Sequence, residues 1–334
     1  MKYSTKDIAI VILNWNGKKL LEKFLPSVTK HSEEAKIYVA DNASSDDSVD
    51  FIKTNYPEIK IIQNTENGGY AKGYNDALKQ VDAPVLCLLN SDIEVTEGWL
   101  QPIIAAYNSE SEIGIIQPKI LDYKQKTHFE YAGAGGGFID KYGYPFCRGR
   151  IFNTIEKDDG QYNDTIKIFW ASGACFFIKN DIFKSLNGFD ESYFAHMEEI
   201  DLCWRAFNDN YKTFYVGKSA VFHVGGATLQ NTSSRKTYLN FRNSLFTLVK
   251  NTDKNVLGRV LIRMILDGVA ALKFLISLKL SNFLSILKAH GSFYWNLFRL
   301  LKQRKELNQL PGYSKKNSIV LSYFIKGKKT FDCL

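Results

Sequence analysis

An α/β fold with a mainly parallel, Rossmann-like central sheet is predicted for the first ~120 residues, and three observations predict it. Short β-rich runs alternate with stretches of helical length; each run closes on Asn or Asp-Asn; and Gly, Ser or Asn opens each stretch between them. The runs are residues 8–14 (IAIVILN), 36–42 (KIYVADN), 59–64 (IKIIQN) and 83–90 (APVLCLLN). Residues 18–30, 45–55 and 70–80 have helical length between them. Helices would cover both faces of such a sheet. Ligands of open α/β sheets bind beyond the carboxyl ends of the strands, so the polar residues that close successive strands converge on one crevice. Asn14, Asp41, Asn42, Asn64 and Asp92 would stand at its rim.

The middle third is less regular. Residues 132–137 (AGAGGG) read as a flexible or tightly packed turn and 153–164 as a polar loop. Residues 165–180 (TIKIFWASGACFFIKN) suggest a strand pair or strand-turn, and 211–226 a hairpin-like pair. Between them lies NGFDESYFAHMEEIDLCWRAFNDN (187–210), whose second half is helical. Asp201 and Arg205 stand four apart there and can pair, with Leu202 and Ala206 facing inward.

From Tyr238 onward the chain reads as amphipathic helix. At ~100° per residue Arg259, Arg263, Asp267 and Lys273 share one stripe, with apolar residues nearly everywhere else. Likewise Ser281, Ser285, Lys288, Ser292, Asn296, Arg299 and Gln303 form one polar line opposite Phe283, Leu287, Tyr294, Leu297 and Leu301. Charges recur too often for a transmembrane span of ~20 apolar residues. Wide oily faces with basic edges suit helices lying in a membrane interface; the alternative is a hairpin packed on the catalytic part. Arg242-Asn243 would either tie this segment to the rest of the chain or lie on the surface.

Charge divides the 334 residues in the same place. Residues 1–230 carry a net charge of −7 and residues 231–334 one of +15. That contrast suggests a catalytic domain (1–230, its halves meeting near 120) followed by a basic helical extension (231–334) with an anionic partner. With 45% hydrophobic and 23% charged residues the chain is an ordinary globular protein. Five cysteines without CxxC spacing signal neither a disulfide framework nor a zinc ribbon, and the N-terminus has no signal-peptide pattern, so a cytosolic setting is expected.

Asn90-Ser91-Asp92, on a tight turn after a strand, offers hard oxygen ligands suited to Mg²⁺ or Mn²⁺ held jointly with a diphosphate. His223, closing another strand, would supply a second ligand. Alone, such a turn is more often a helix cap and such a histidine more often structural. Asp46 and Asp47 read as caps of the following helix.

The ordered set VILNWNG, VADNASSDDS, NTENGGYAKGYNDAL, LLNSDIEVTEGWL, WASGACFFIKNDIFKSLNGFDESYFAHMEEIDLCWRA and VFHVGG resembles family 2 glycosyltransferases of the GT-A fold, closest to the rhamnosyltransferase-like bacterial branch. The likeness spans residues 8–250. It implies nucleotide-sugar contacts at Asn14, Asp41, Asn67, Gly69, Asn75 and Asn90, and a divalent metal held by Asp92 and His223. The turn departs from the family's DxD in carrying Asn90 first. Tyr74 stands where many relatives carry an arginine, so the diphosphate contact of that arginine is not expected here. In the Glu198-Glu199 pair the second acid is the implied general base, and Glu198 is read as a solvated first-turn acid. Trp170, Ser172, Gly173 and Glu198 fall on the acceptor side, where Trp170 is either an apolar platform or core.

The implied activity is inverting transfer of a sugar from a UDP- or dTDP-linked donor to a hydroxyl of a saccharide, lipid-linked if the basic tail rests on the cytosolic leaflet. Two other readings compete. A nicotinamide-dependent oxidoreductase would need GxGxxG after the first strand, where Asn14-Trp15-Asn16-Gly17 stands instead. A nucleic-acid-binding adaptor would use the basic tail but leaves the acids at Asp41, Asp92 and Glu199 without a role; no nucleic-acid partner is therefore expected.

Overall fold

In the computed structural model, which describes residues 2–225, 233–304 and 312–334, the sequence runs become β1 (Ile8–Asn14), α1 (Lys18–His31), β2 (Lys36–Asp41), α2 (Ser48–Asn55), β3 (Lys60–Gln63), α3 (Gly69–Leu78) and β4 (Val85–Asn90). Each strand falls within the run expected of it. In β1 every residue except Leu13 is buried, as befits a strand covered on both faces. Alternation divides it: Ala9 and Val11 join one core, Ile8, Ile10 and Ile12 the other.

Beyond β4 come β5 (Ile93–Val95), α4 (Leu100–Ser109) and β6 (Ile113–Asp122). A small antiparallel sheet follows, made of β7 (Gly137–Ile139), β8 (Pro145–Cys147), β9 (Arg150–Ile151) and β10 (Thr154–Ile155). Then come β11 (Thr165–Ile168), β12 (Cys175–Lys179), α5 (Asn180–Ser185), α6 (Glu198–Asn208) and β13 (Lys212–His223). The large sheet runs β11-β13-β6-β12-β4-β1-β2-β3, with β5 paired to β13. Its β3-β2-β1-β4 half is parallel, and β12 then runs antiparallel to both β4 and β6, so the whole is mixed. The order in which successive strands are added reverses beside β1, the topological switch point at which open α/β sheets form their crevice.

Three local expectations change. Residues 165–180 do not form a pair: β11 bonds to the edge of β13, while β12 inserts between β4 and β6. Residues 212–223 are one long strand, whose irregularity between Val216 and Ala220 replaces the expected hairpin. The glycine run is tightly packed: a Cβ on Gly137 would lie 2.2 Å from the Trp170 indole, and one on Gly133 2.3 Å from Ser172 Cβ.

The last third forms α7 (Ser234–Asn251), α8 (Val256–Ile276), α9 (Leu280–Lys302) and α10 (Ile319–Phe324). α7 buries Leu239, Leu245, Phe246, Leu248 and Val249 in or beside the main core. The middle of the α8 stripe that would have faced water on a simple amphipathic reading, Arg263 and Asp267, faces inward instead, while Lys273 stays exposed. Arg263 Nε donates to Asp267 Oδ1 at 2.8 Å, Tyr144 Oη donates to the same oxygen at 2.7 Å, and His290 of α9 stands 3.5 Å from Asp267 Oδ2. Burial would raise the Asp267 carboxyl, but Arg263 and its donors outweigh that and lower it. On α9, Asn282 donates to Thr237 of α7, and Ser285 is buried. The apolar faces are left outside. Among the described residues no helix is long and apolar enough to cross a membrane.

Candidate active site

Polar residues at the ends of the parallel strands interlock. Asn14 Nδ2 donates to Asp41 Oδ1 (3.1 Å) and to Ser44 Oγ (3.2 Å), and Asp41 Oδ2 accepts from the Ser44 amide (3.0 Å). Asn42 Nδ2 donates to Asn67 Oδ1, and Asn64 Nδ2 to Asn42 Oδ1, each at 3.0 Å. Asn14 Oδ1 is buried without a partner, and a Cβ on Gly17 would lie 2.4 Å from it, so a glycine there keeps space beside that oxygen. A buried acceptor of this kind suits a ligand donor. Asp46 accepts from the Ser48 and Lys18 amides and so caps α2, whereas Asp47 makes no cap bond.

Not every expected donor-side residue faces this network. Asn75 spends its amide on Phe189 O, Glu191 and the Phe189 N–H, tying α3 to the segment before α6. Gly69 adopts φ +78°, and a Cβ there would lie 2.4 Å from Phe194 O, so it permits a close crossing of two backbones. Tyr74 is fully buried, its hydroxyl donating towards Val11 O and Leu89 O; it is a core residue.

The Asn90-Ser91-Asp92 turn links β4 to β5, and β5 pairs Ile93 with His223 at the end of β13. That register brings His223 Nε2 to 3.1 Å from Asp92 Oδ1. His223 Nδ1 lies 3.3 Å from Glu130 Oε2, a residue the sequence did not single out. Burial would lower the imidazole, but Asp92 and Glu130 outweigh it and hold His223 up at about 10. Two carboxylates therefore flank one buried imidazole, whose Nε2 would give up its proton on binding a metal ion. Among the described residues no set of three or more His, Cys, Asp or Glu forms a metal cluster. Asp92 and His223 nevertheless fit two corners of a Mg²⁺ or Mn²⁺ shell, since such ions take several remaining ligands from water and phosphates. Glu130 on the far nitrogen matches the carboxylate–histidine support common around metal sites. The Gly225 backbone (φ +68°) leaves room for it: a Cβ there would lie 2.8 Å from Glu130 Oε1.

Glu198 and Glu199 open α6, where helix amides and dipole favour a carboxylate. Three non-glycine residues just before it hold positive φ: Phe194 (64°), His196 (69°) and Met197 (74°). Strain of this kind persists only where surroundings enforce it. Tyr70 N donates to Phe194 O, Asn243 Nδ2 donates to the carbonyls of Tyr193, Ala195 and His196, and Arg242 donates to those of Ser192 and Tyr193. Arg242-Asn243 thus ties the tail to the core. Burial raises Glu199 to about 7 despite bonds from backbone amides that include Gly173. Burial, then the Glu199 charge, raises Glu198 well above its ordinary value. Glu198 is buried rather than the solvated acid expected, because α6 turns it into the core. Each carboxyl keeps one buried oxygen without a partner.

Gly173 lies against Glu199 and accepts from Tyr70 Oη at 2.7 Å. Its neighbour Ala174 accepts from the Asn90 amide, so the acid pair stands beside the turn that carries Asp92. Ser172 is buried and its backbone amide bonds to Gln117. Trp170 is core, its Nε1 donating to Phe138 O at 2.8 Å, and it presents no platform to an acceptor. Asp201 pairs with Arg205 (2.8 Å) and also meets Lys250 of α7 (3.0 Å).

Comparison with known proteins bears on family and fold. The chain is 24% identical over 237 residues to N-acetylglucosaminyl-diphospho-decaprenol L-rhamnosyltransferase of Mycobacterium tuberculosis, covering 66% of this chain and 76% of that protein. It is also 24% identical to the low-salt glycan biosynthesis hexosyltransferase Agl10 of Haloferax volcanii, covering 71% of this chain and 74% of that one. Among solved structures, the mannosyltransferase PcManGT of Pyrobaculum calidifontis, in complex with GDP-Man and Mn²⁺, aligns with a TM-score of 0.52 at 12% identity over 87% of each chain. GalNAc-T7 with UDP, GalNAc and Mn²⁺ aligns with a TM-score of 0.55 at 18% identity, over 72% of this chain and 47% of that one. These likenesses fix a GT-A fold and lend nothing to the oxidoreductase or adaptor readings. Because the model of the Glycosyl transferase family 2 domain matches residues 9–186, more than half of the sequence, this glycosyltransferase belongs to that family.

Proposed function

We propose that the protein transfers a sugar, with inversion, from a UDP- or dTDP-linked donor to a hydroxyl of a lipid-linked saccharide at the cytosolic face of a membrane, in assembly of a surface polysaccharide. Glu199 carries this reading. A half-buried carboxyl raised to about 7, one oxygen of which has no hydrogen-bond partner, is suited to take a proton from an attacking alcohol. As the acceptor oxygen bonds to the anomeric carbon, its proton passes to Glu199 and the nucleoside diphosphate leaves with the electron pair of the broken C–O bond.

Asn14, Asp41 and Asn67 stand where base and ribose would be held, at the switch point of the sheet. Asn90 and Asp92 would face the diphosphate. A divalent ion held by Asp92 and His223 would neutralise charge on that leaving group as a Lewis acid. Glu130 orients His223 for this task. The Mycobacterium tuberculosis relative, named for a decaprenol-linked substrate, supports a lipid-linked acceptor, and the rhamnosyltransferase names make dTDP-rhamnose the first donor to test.

The test is release of nucleoside diphosphate by the purified full chain from a panel of nucleotide sugars with Mn²⁺ or Mg²⁺, alongside thermal shift for each donor. A donor bound only by the native state raises the melting point. NMR of the product then reads the anomeric configuration. Absence of metal-dependent turnover with every donor, or retention of configuration, would overturn the reading.

A further inference from the structure

The α8–α9 hairpin turns several polar side chains towards the protein and leaves a broad oily side outward, unlike a helix resting on a soluble domain. Arg263, Asp267, Asn282 and Ser285 are buried. Meanwhile Leu257 is 80% exposed, Ile276 81%, Leu278 91%, Trp295 89% and Phe298 80%. Soluble proteins seldom leave so broad an apolar face uncovered. Lys273, Lys279, Lys288 and Lys302 are exposed among these residues, and the sole carboxylate side chain within 254–304 is the buried Asp267.

We infer that this face is a membrane-docking surface, in which the outer sides of α8 and α9 sink into the interface of an anionic bilayer while the lysines meet its headgroups. The inference deepens the membrane-side reading above and rests on it. Charge selects the occupant. A second copy of the chain would set lysines against lysines, whereas anionic lipids complement them. Trp295 and Tyr294 suit the headgroup boundary, where an amphipathic ring is favoured. Since neither helix can span a bilayer, the hairpin lies in the plane of the surface. The same layer grips the segment before the acid pair: Arg242 and Asn243 of α7 hold residues 192–196, and Arg299 of α9 reaches Ser192. Docking therefore sets the acid pair at a fixed relation to the membrane, where a lipid-linked acceptor would emerge.

Flotation of the full chain with vesicles of phosphatidylcholine alone, and of phosphatidylcholine mixed with phosphatidylglycerol, tests this. Strong partition to the anionic vesicles is expected. The double variant Ile276→Ser, Leu278→Ser should bind them about 100-fold more weakly, since two exposed aliphatic chains lose their burial. Lys279→Glu should weaken binding at least about fivefold and flatten its salt dependence. Circular dichroism verifies that each variant folds, and donor hydrolysis is measured in parallel. Failure of the wild type to float, equal flotation of all variants, or a concentration-dependent dimer that the serine variant abolishes would overturn the inference. A wild type that turns over donor but does not float refutes docking alone; a wild type that floats without donor turnover supports docking and refutes the transferase reading.

Discussion

Replacing Glu199 by Gln removes the proposed base and yields a quantitative pH signature. With Glu199 near 7, about half of the wild-type protein carries the ionised base at pH 7, roughly a tenth at pH 6 and about nine-tenths at pH 8. The transfer rate should therefore rise about tenfold between pH 6 and pH 8 and then level off. Glu199→Gln should lower kcat by about 10²–10⁴ at pH 8 and abolish that rise. Burial, then the Glu199 charge, raises Glu198 above its ordinary value, and Glu198→Gln, which keeps the shape of that buried side chain, should preserve the rise with pH that Glu199→Gln abolishes. Stability gives an opposite sign. A carboxyl raised from 4.5 to about 7 by folding favours the folded state fully below pH 4.5, and that contribution is lost as pH rises through 7. Glu199→Gln should thus melt higher than wild type at pH 8, by on the order of 1–3 kcal/mol after allowing for its partial exposure. Rates come from nucleoside diphosphate release at saturating substrate, and stability from thermal melts at each pH. A Glu199→Gln variant within a few-fold of wild-type kcat at pH 8 would refute the reasoning, as would a flat wild-type profile.

Other consequences follow from the same contacts. Glu130→Gln should weaken Mn²⁺ binding about 10–100-fold by calorimetry while the fold persists, because His223 loses its orienting carboxylate. Lys250→Met leaves Asp190 and Asp201 without their shared cation and should destabilise by about 3–5 kcal/mol in denaturant titration near neutral pH. Burial opposes the lowered pKa values of both acids and Lys250 outweighs it, so the stability they confer is present above the ordinary carboxylate range and fades as pH falls through their depressed values. Gly69→Ala forces a Cβ against Phe194 O at positive φ and should cost more than about 1 kcal/mol in the same titration.

The parallel half of the sheet was legible because fully covered strands leave continuous apolar runs with polar ends, as in β1 and β4. Position relative to those ends also carried Asn14, Asp41, Asp92 and His223. Glu130 escaped because it belongs to the loop between β6 and β7, where no periodicity marks it and only a long-range register brings it to His223. A clue was present in Gly225, two residues after His223, whose backbone gives that carboxylate room. Trp170 was ambiguous because an indole suits core and sugar platform alike; its hydrogen bond to Phe138 decides. For α8 and α9 helical projection separated two faces and could not say which one the rest of the chain would cover. Partners such as the half-buried Tyr144, distant in sequence, determine that.

The three left-handed residues ahead of α6 have a bearing on how the chain can be divided. Asn243 and Arg242, which belong to the basic third of the polypeptide, bond to the carbonyls of His196 and of the neighbouring Ser192, Tyr193 and Ala195. A fragment ending at residue 230 would keep every proposed catalytic side chain and lose the clasp that holds Glu199 in register. The C-terminal third then acts as part of the catalytic frame, and severing it would idle the transferase before any lipid is involved.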